Sequence, residues 1–473
     1  MTTNVEKLAA FAAHTRFEDL PPLVLEESRR LLVDTLGCAL GGWSHPKGTI
    51  GVDYARLQGP GAPGAQATII GSRERVSTVA AAFANGELIN ALDYDAVLPP
   101  GHVSPYVMPG ALAEAEAVGA SGRELLCAVA IAHEISNRIG KALDYLRDVK
   151  DGRISPPPVN GYASTIFGAT AAIGRIKGHS AATIIEALGI AGSVAPVNAQ
   201  WSWSVHSPTA TIKYAVAGAL TQAAQMASTL AQLGHTGDRQ TLDDGEHGFR
   251  RMIGSARWVP ERITPGLGQD WFFPAELSFK PYPHCRILHG PLDALNDVLT
   301  RHDIRVDEIE QIKAWVEGFV MQPLWLNRRI EHVTQAQFSI AHGLSVGAHR
   351  VPVGKRWQSP EVVFDPSVIA LMDRIVFEVH PDYERLLTGN AASRPTRIEV
   401  RARGQTFVGE RRYPRGSPSP DPTTRLSNDE ISAKFLGNAD GVLTAQQAQR
   451  ALQALWEADT QADVGSLMPL LAP

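Results

Sequence analysis

The sequence predicts a mainly α-helical protein, with a large all-helical domain and a smaller α+β domain. Ala-, Gly- and Leu-rich stretches of helical length fill the chain up to about residue 234, and strand-like alternation begins only after Pro274. Helix-start patterns return after Pro422. At 473 residues the chain is long enough for two domains, because single cores stop growing near about 250–300 residues. We therefore predict a helical domain from 1–272 and 423–473, and an α+β domain from 273–422.

The predicted helices of the first part are apolar on one face or nearly all round. They cover 108–120, 123–142, 165–177, 180–192 and 209–233. Ser180 is a good N-cap for the fourth of these helices, and Gly192 stands where a C-cap is expected. The density of Ala and Gly predicts helices that approach one another closely.

The middle part of the chain alternates between strand-like and helical segments. The predicted strands are 309–316, 374–380 and 397–408, and the predicted helices are 286–301, 335–348 and 381–389. Four prolines and two serines within 414–422 predict a linker. Beyond it, Ser427 and Thr444 each begin a capping-box pattern, so the chain is expected to return to helix.

Composition excludes several classes of function. A net charge of −5 gives the chain no excess of positive charge with which to bind nucleic acid. Three cysteines, Cys38, Cys127 and Cys285, lie far apart without metal-finger spacing, which predicts a reducing compartment and no metal site. No dinucleotide fingerprint or phosphate loop is present. The N-terminus has no signal-peptide pattern and no long apolar run occurs, so we expect a cytoplasmic protein without a membrane partner.

Two short segments concentrate side chains that carry chemistry. The run 279–286 (FKPYPHCR), closed by His289, gathers cations, imidazoles and a thiol between prolines that block helix. Such groups suit a pocket that binds a carboxylate and moves a proton. The second segment holds Asp93 and Asp95, followed by His102 in a Pro/Gly loop. The alternative for both segments is a surface turn with solvated charges.

Together with four further segments, these motifs resemble the MmgE/PrpD family of 2-methylcitrate dehydratases, cis-aconitate decarboxylases and iminodisuccinate epimerases. The additional segments are 30–42 (RLLVDTLGCALGG), 84–86 (ANG), 213–218 (KYAVAG) and 336–340 (AQFSI). The resemblance covers nearly the whole chain. It implies a large helical domain built from both ends of the chain, a smaller α+β lid domain between them, and a homodimer.

The resemblance also implies which residues form the active site. Asp93, His102, Lys213 and Lys280 match catalytic positions, and Asp95 shares the motif of Asp93. Some members carry a histidine where this chain has Cys285, so His284 or His289 would supply that imidazole. Arg286 offers a bidentate fork for a carboxylate. For Cys285 itself, a nucleophile and an inert buried thiol are the alternatives.

The chain departs from the family pattern at several positions. Where many members have a second histidine, this chain has Tyr162 or Asn160, and Tyr162 is expected to bind the substrate. A common threonine is Val97 here, and a lid tyrosine corresponds to Trp325. A phenol is a poor base at neutral pH, although it can donate a hydrogen bond. The substrate is therefore expected to differ from that of some members.

The function that the resemblance implies is a cofactor-independent lyase, either a dehydratase or a decarboxylase, acting on a small di- or tricarboxylic acid. Asp93, His102 or His284 would move a proton next to a carboxylate. Lys213, Lys280 and Arg286 would hold the carboxylates, because a carbanion is stabilised mainly by fixed charge. An epimerase is the nearest alternative, and a catalytically idle carboxylate-binding protein is another.

Overall fold

The computed structural model describes residues 2–143, 149–150, 153–154, 158–197, 202–206, 209–390 and 392–473, with the backbone alone described for both short strands of 149–154 and for Phe319. The helices up to residue 276 are α1 (Asn4–His14), α2 (Pro22–Gly42), α3 (Pro46–Leu57), α4 (Thr78–Asn90), α5 (Ser104–Val118), α6 (Gly122–Ala142), α7 (Thr165–Ile176), α8 (Ala181–Val194), α9 (Ser202–Val205), α10 (Ala217–Gln232), α11 (Phe249–Ile253) and α12 (Phe273–Glu276). They form the helical core that the composition predicts.

The later helices are interspersed with the strands of a mixed sheet. They are α13 (His289–Arg301), α14 (Pro323–Leu326), α15 (Val333–Ala336), α16 (Ile340–Ala348), α17 (Pro360–Val363), α18 (Pro366–Met372), α19 (Tyr383–Gly389), α20 (Asn428–Ala439) and α21 (Ala445–Trp456). No described helix is both long enough and apolar enough to cross a membrane.

The strands confirm the predicted fold class, a mainly α fold with a smaller α+β part. They are β1 (Gln66–Thr68), β2 (Arg75–Ser77), β3 (Val97–Leu98), β4 (Gly101–His102), β5 (Val149–Lys150), β6 (Arg153–Ile154), β7 (Ile309–Val316), β8 (Ile375–Val379), β9 (Thr396–Ala402) and β10 (Gln405–Arg411). The first six form two-stranded antiparallel pairs. The last four form one sheet in the order β10-β9-β7-β8, in which only β7 and β8 run parallel.

Glycines allow the helices of the core to approach closely. A Cβ at Gly168 of α7 would lie 2.3 Å from the carbonyl oxygen of Ala132 in α6. A Cβ at Gly42 would lie 2.2 Å from the carbonyl oxygen of Leu88 in α4. No side chain fits at either position, so glycine lets backbone pack on backbone.

The C-terminal helix α20 packs on α2 of the N-terminal half. A Cβ at Gly37 would lie 3.1 Å from the Cα atom of Phe435, so these two helices are also in close contact. Arg30 of α2 donates to the carbonyl oxygen of Leu426 just before α20, at 2.6 Å. The two ends of the chain are therefore joined by direct contact. The domain boundaries remain predictions.

Three predicted elements differ from the structure. The helix predicted at 209–233 begins only at Ala217, because Tyr214 has a φ of +58° that no α-helix accommodates. The helix at 335–348 is interrupted before Ser339, whose hydroxyl caps a new helix by accepting from the amide of His342. The strand at 397–408 is a hairpin, β9 and β10, which turns at Arg403 and Gly404, both with positive φ.

One cap was placed correctly from the sequence and one was not. The hydroxyl of Ser180 accepts from the amide of Thr183 and caps α8, as predicted. Gly192 does not end that helix, which continues to Val194. A Cβ at Gly192 would lie 2.5 Å from the Thr241 hydroxyl, so this glycine permits a close contact instead.

Helix packing predicts opposite effects for two Gly→Ala substitutions. Gly168→Ala should lower the free energy of unfolding by about 1–3 kcal/mol, because the new methyl group meets fixed backbone. Gly437→Ala lies in the last turn of α20, where no described atom comes within 4 Å of the new Cβ, and it should raise the free energy of unfolding by about 0.5–1 kcal/mol. Urea unfolding followed by circular dichroism measures both. Equal effects at the two positions would contradict the packing of α6 on α7.

Candidate active site

A short hairpin brings His102 back beside the two aspartates that precede it. Asp93 follows α4 in the left-handed region, with φ of +53°, which aspartate tolerates better than most residues. Strands β3 and β4 then pair Val97 with His102. Oδ2 of Asp95 lies 2.6 Å from Nδ1 of His102, and Oδ1 of Asp93 lies 3.6 Å from Nε2. The hairpin, rather than an extended strand, therefore makes the two carboxylates converge.

Two buried lysines from distant parts of the chain meet at Asp93. Lys213 lies in the irregular segment before α10, and its Nζ is 3.0 Å from Oδ1 of Asp93. Lys280 donates from Nζ to Oδ2 of Asp93 at 2.6 Å and to its backbone oxygen at 2.7 Å. All three side chains are at most 1% exposed. The four residues that the sequence assigns to catalysis by resemblance, His102 included, thus form one cluster.

The lysines keep Asp93 ionised. Burial by itself raises the pKa of Asp93, but the charges of Lys213 and Lys280 outweigh it and hold that pKa well below its usual value. Asp93 is therefore an anion over the whole physiological range and does not act as a proton donor there. Its charge fixes two ammonium groups on opposite oxygens of one carboxylate.

His102 is the best placed base of the cluster. Burial lowers the pKa of His102, and the charge of Asp95 offsets this only in part. The ring is therefore neutral at pH 7. The contact of 2.6 Å to Asp95 assigns its proton to Nδ1, which donates to the carboxylate and leaves the lone pair on Nε2. A neutral imidazole with an oriented lone pair can accept a proton.

Lys213 is a cation whose pKa lies close to neutrality. Burial lowers its pKa to about 8, and the charges of Lys280 and Lys47 act in the same direction, against Asp93. Nζ also donates to Oε1 of Gln337 at 2.7 Å. Lys213 is therefore mostly protonated at pH 7 but near enough to its pKa to release a proton.

Sequence reasoning missed the glutamines that orient Lys213. The amide of Gln337 donates to the carbonyl oxygen of Ala91 at 2.7 Å and to Oε1 of Gln358 at 2.5 Å. Gln358 in turn donates to the carbonyl oxygens of Leu92 and Pro283. Gln337 lies in one of the family-like segments, which could have indicated it. Gln358 stands in no such motif, so only the tertiary structure identifies it.

Aromatic rings cover one side of the cluster. The ring of Tyr214 lies 4.4 Å from that of His102, and Trp203 and Phe338 lie 4.7 and 5.9 Å from Tyr214. Tyr162 lies 6.4 Å from His102. Tyr162 is thus beside the cluster, where it stays a predicted substrate-binding residue. Tyr214 was not predicted from the sequence, although it directly follows Lys213.

The remaining predicted residues lie around the Lys280 segment. The Cys285 thiol is buried, and burial together with the charge of Asp93 raises its pKa. His284 packs against α16, where a Cβ at Gly343 would lie 2.7 Å from Nε2, and burial lowers its pKa to about 4. Nε2 of His289 lies 3.1 Å from the carbonyl oxygen of His284. Arg286 donates to the Ser278 hydroxyl at 2.7 Å. The roles predicted for these four residues stay predictions.

Two family models cover most of the chain. The MmgE/PrpD N-terminal domain matches residues 6–260, and the MmgE/PrpD C-terminal domain matches residues 282–458. The chain belongs to the MmgE/PrpD family. The N-terminal match of this family member contains Asp93, His102 and Lys213, and the C-terminal match contains Gln337. The site is therefore built from residues of both matched domains.

Curated relatives of this family member are named as a cis-aconitate decarboxylase and as a cis-aconitate decarboxylase-like protein. The cis-aconitate decarboxylase-like protein oryM of Aspergillus oryzae is 24% identical over 98% of this chain and 96% of its own length. The cis-aconitate decarboxylase of Aspergillus terreus is 26% identical over 63% of this chain and 60% of its own length. Both identities are low, so they support the family more strongly than any one reaction.

The His102–Asp95 contact predicts the ring state of His102. At pH 7 we expect a neutral ring with the proton on Nδ1, and Asp95→Asn should lower its pKa further, because the Asp95 charge raises it. Nitrogen-15 shifts of histidine-labelled protein measure both, with His102→Gln to assign the signal. Asp53→Asn, an exposed change on α3, is the control. A doubly protonated ring at pH 7 would contradict this arrangement.

Proposed function

We propose that this protein is a cofactor-independent lyase of a small di- or tricarboxylic acid, acting by proton transfer next to a carboxylate. The observation that carries the proposal is the buried cluster in which Asp93 fixes two lysine ammonium groups beside the neutral His102. Membership of the MmgE/PrpD family and the decarboxylase relatives support the same class of reaction.

The lysines have capacity left to bind a substrate carboxylate. An ammonium group has three donors. Among the described residues, Lys213 directs two of them at Asp93 and Gln337, and Lys280 directs two at Asp93. One donor of each lysine therefore remains for the substrate. Away from water, these contacts to a carboxylate are stronger than at a surface.

His102 and Lys213 would handle the proton. In a dehydration, Nε2 of His102 removes the proton next to a carboxylate, and the Lys213 ammonium group protonates the hydroxyl group, which leaves as water. In a decarboxylation, the bond to a carboxylate breaks, carbon dioxide leaves, and the electron pair on the adjacent carbon receives a proton from the Lys213 ammonium group. Both reactions pass through a carbanion-like state, which the two ammonium groups stabilise. Decarboxylation of an acid like cis-aconitate is the first reaction to test, because the relatives carry that name.

The proposal is tested by incubating the protein with citrate-, aconitate- and aminosuccinate-like acids in deuterium oxide. Proton NMR then follows carbon dioxide loss, water loss and deuterium incorporation in one sample. Turnover of one acid to an unsaturated or decarboxylated product supports the lyase. Deuterium entry with inversion and no bond cleavage would indicate the epimerase instead. No exchange and no turnover with any acid would leave a binding protein and refute the lyase.

Lys213→Ala should lower kcat by about 10²-fold or more, the usual scale for a lost charge-stabilising or acid–base group. For the wild type we expect kcat/KM to fall as the pH rises through about 8, because Lys213 loses its positive charge above that pKa. The residual activity of the variant should lack this alkaline limb. Lys313→Ala, which removes an ion pair on the sheet surface, is the matched control. If Lys213→Ala kept the same fall in kcat/KM at alkaline pH, that fall would come from the titration of another group.

Cys285→Ser should reduce kcat far less than Lys213→Ala does. Burial and the nearby Asp93 charge raise the pKa of the thiol, so the reactive thiolate is scarce at neutral pH. Steady-state kinetics on the two variants and on His102→Gln measure the difference. An inactive Cys285→Ser beside an active His102→Gln would point to covalent catalysis through the sulfur.

A further inference from the structure

Lys434 is a buried cation that the proposed chemistry does not use. It lies in α20, far along the chain from the other site residues, and its side chain is 5% exposed. Its Nζ donates to Oδ1 of Asp34 at 2.6 Å, to the carbonyl oxygen of Tyr94 at 2.6 Å and to that of Lys280 at 3.2 Å. All three donors of the ammonium group are therefore used.

The two carbonyl groups that Lys434 binds belong to the two halves of the catalytic cluster. Tyr94 directly follows Asp93, and Lys280 is the residue whose ammonium group contacts Asp93. One ammonium group thus fixes the main chain on both sides of the Asp93–Lys280 ion pair. The Tyr94 ring also lies under Nζ, with its centroid 3.9 Å away, which adds a cation–π contact.

The segment after Asp93 and the segment around Lys280 are also joined by other hydrogen bonds. Val97 and Ser278 exchange backbone hydrogen bonds of 2.9 and 2.8 Å. The Tyr94 hydroxyl donates to the carbonyl oxygen of Pro281 at 3.2 Å. These bonds lie at either end of the contact, whereas Lys434 bridges the carbonyls next to the ion pair itself.

The position of Lys434 is set by how α20 packs on α2. Because Gly37 has no side chain, Phe435, the neighbour of Lys434, can contact the α2 backbone. Asp34, one turn before Gly37 on α2, then receives the ammonium group. Burial lowers the pKa of Lys434, but the charge and hydrogen bond of Asp34, together with Cys38 and Tyr94, outweigh it and raise that pKa above its usual value. The lysine is therefore a permanent cation.

We propose that Lys434 is a positioning residue, which sets the separation of Asp93 and Lys280 by holding the Tyr94 and Lys280 carbonyl groups from outside the catalytic cluster. The effect on rate rests on the proposed lyase function, whereas the effect on geometry does not. Lys434 touches no reacting atom, so its removal should change the alignment of Asp93 and Lys280 without deleting any catalytic side chain.

Three variants test this role. Lys434→Met keeps the length of the side chain but removes all three donors, and it leaves Asp34 buried and unpaired. The double variant Asp34→Asn, Lys434→Met removes that unpaired charge as well and keeps the protein folded if the single variant does not. Lys355→Met is the matched control, because Lys355 anchors the end of the same helix by donating to the carbonyl oxygens of Asn438 and Asp440 without contacting the cluster.

Kinetics on the acid that the wild type turns over separate positioning from stability. The expected result for the double variant is a kcat at least 10-fold below wild type with a smaller change in KM, because both substrate-binding ammonium groups remain, and Lys355→Met should keep the wild-type kcat. Urea unfolding reports stability separately. Recovery of wild-type kcat in the double variant would show that Lys434 only neutralises Asp34, and would overturn the proposal.

A crystal structure of the double variant tests the geometry without any substrate. The wild-type distance from Nζ of Lys280 to Oδ2 of Asp93 is 2.6 Å. We expect this ion pair to open in the variant. An unchanged pair would overturn the positioning role, whether or not any acid is turned over. An opened pair in a protein that turns over no acid would refute the lyase and still support the positioning role.

Discussion

The carboxylate of Asp93, held between two buried ammonium groups, is the interaction on which the arrangement of the site depends. Each oxygen binds one lysine, and the two lysines are remote from Asp93 in the chain. Three segments that share no secondary structure are thereby brought to a single point. Removing the carboxylate would leave two buried cations without a counterion, which is among the costliest changes a protein interior can undergo.

Burying so many charges requires that nearly every donor and acceptor be matched. Taking one ion out of water costs several kcal/mol, and the attraction of its partner offsets this only with good geometry and further hydrogen bonds. Here Gln337 accepts from Lys213 and donates to Gln358, and Asp95 orients His102. The Lys434–Asp34 pair repeats the pattern one layer farther out. This polar interior lies among closely packed helices, which gives it a rigid frame.

The protonation states follow from the same burial. Asp93 stays ionised because two cations face it, while His102 stays neutral because the charges of Asp95 and Asp93 do not fully offset burial and the charge of Lys280. Lys213 lies between these cases, with a pKa of about 8. Neighbouring groups with different proton affinities are what a reaction that moves protons next to a carboxylate needs. The departures at Val97, Tyr162 and Cys285 lie in or near this region, and their effect on the substrate stays a prediction.

The sequence by itself determined the fold class, most helices and, through family-like motifs, which residues form the cluster. Periodicity and capping reveal elements such as α8 because those rules act within a few residues of one another. Only the tertiary structure decided that Lys213 leaves the helix predicted for it, that a hairpin turns His102 toward Asp95, and that Gln358 and Lys434 support the cluster. These features depend on contacts between residues far apart in the chain. Local sequence carries no record of which distant charge or carbonyl group a buried side chain will meet.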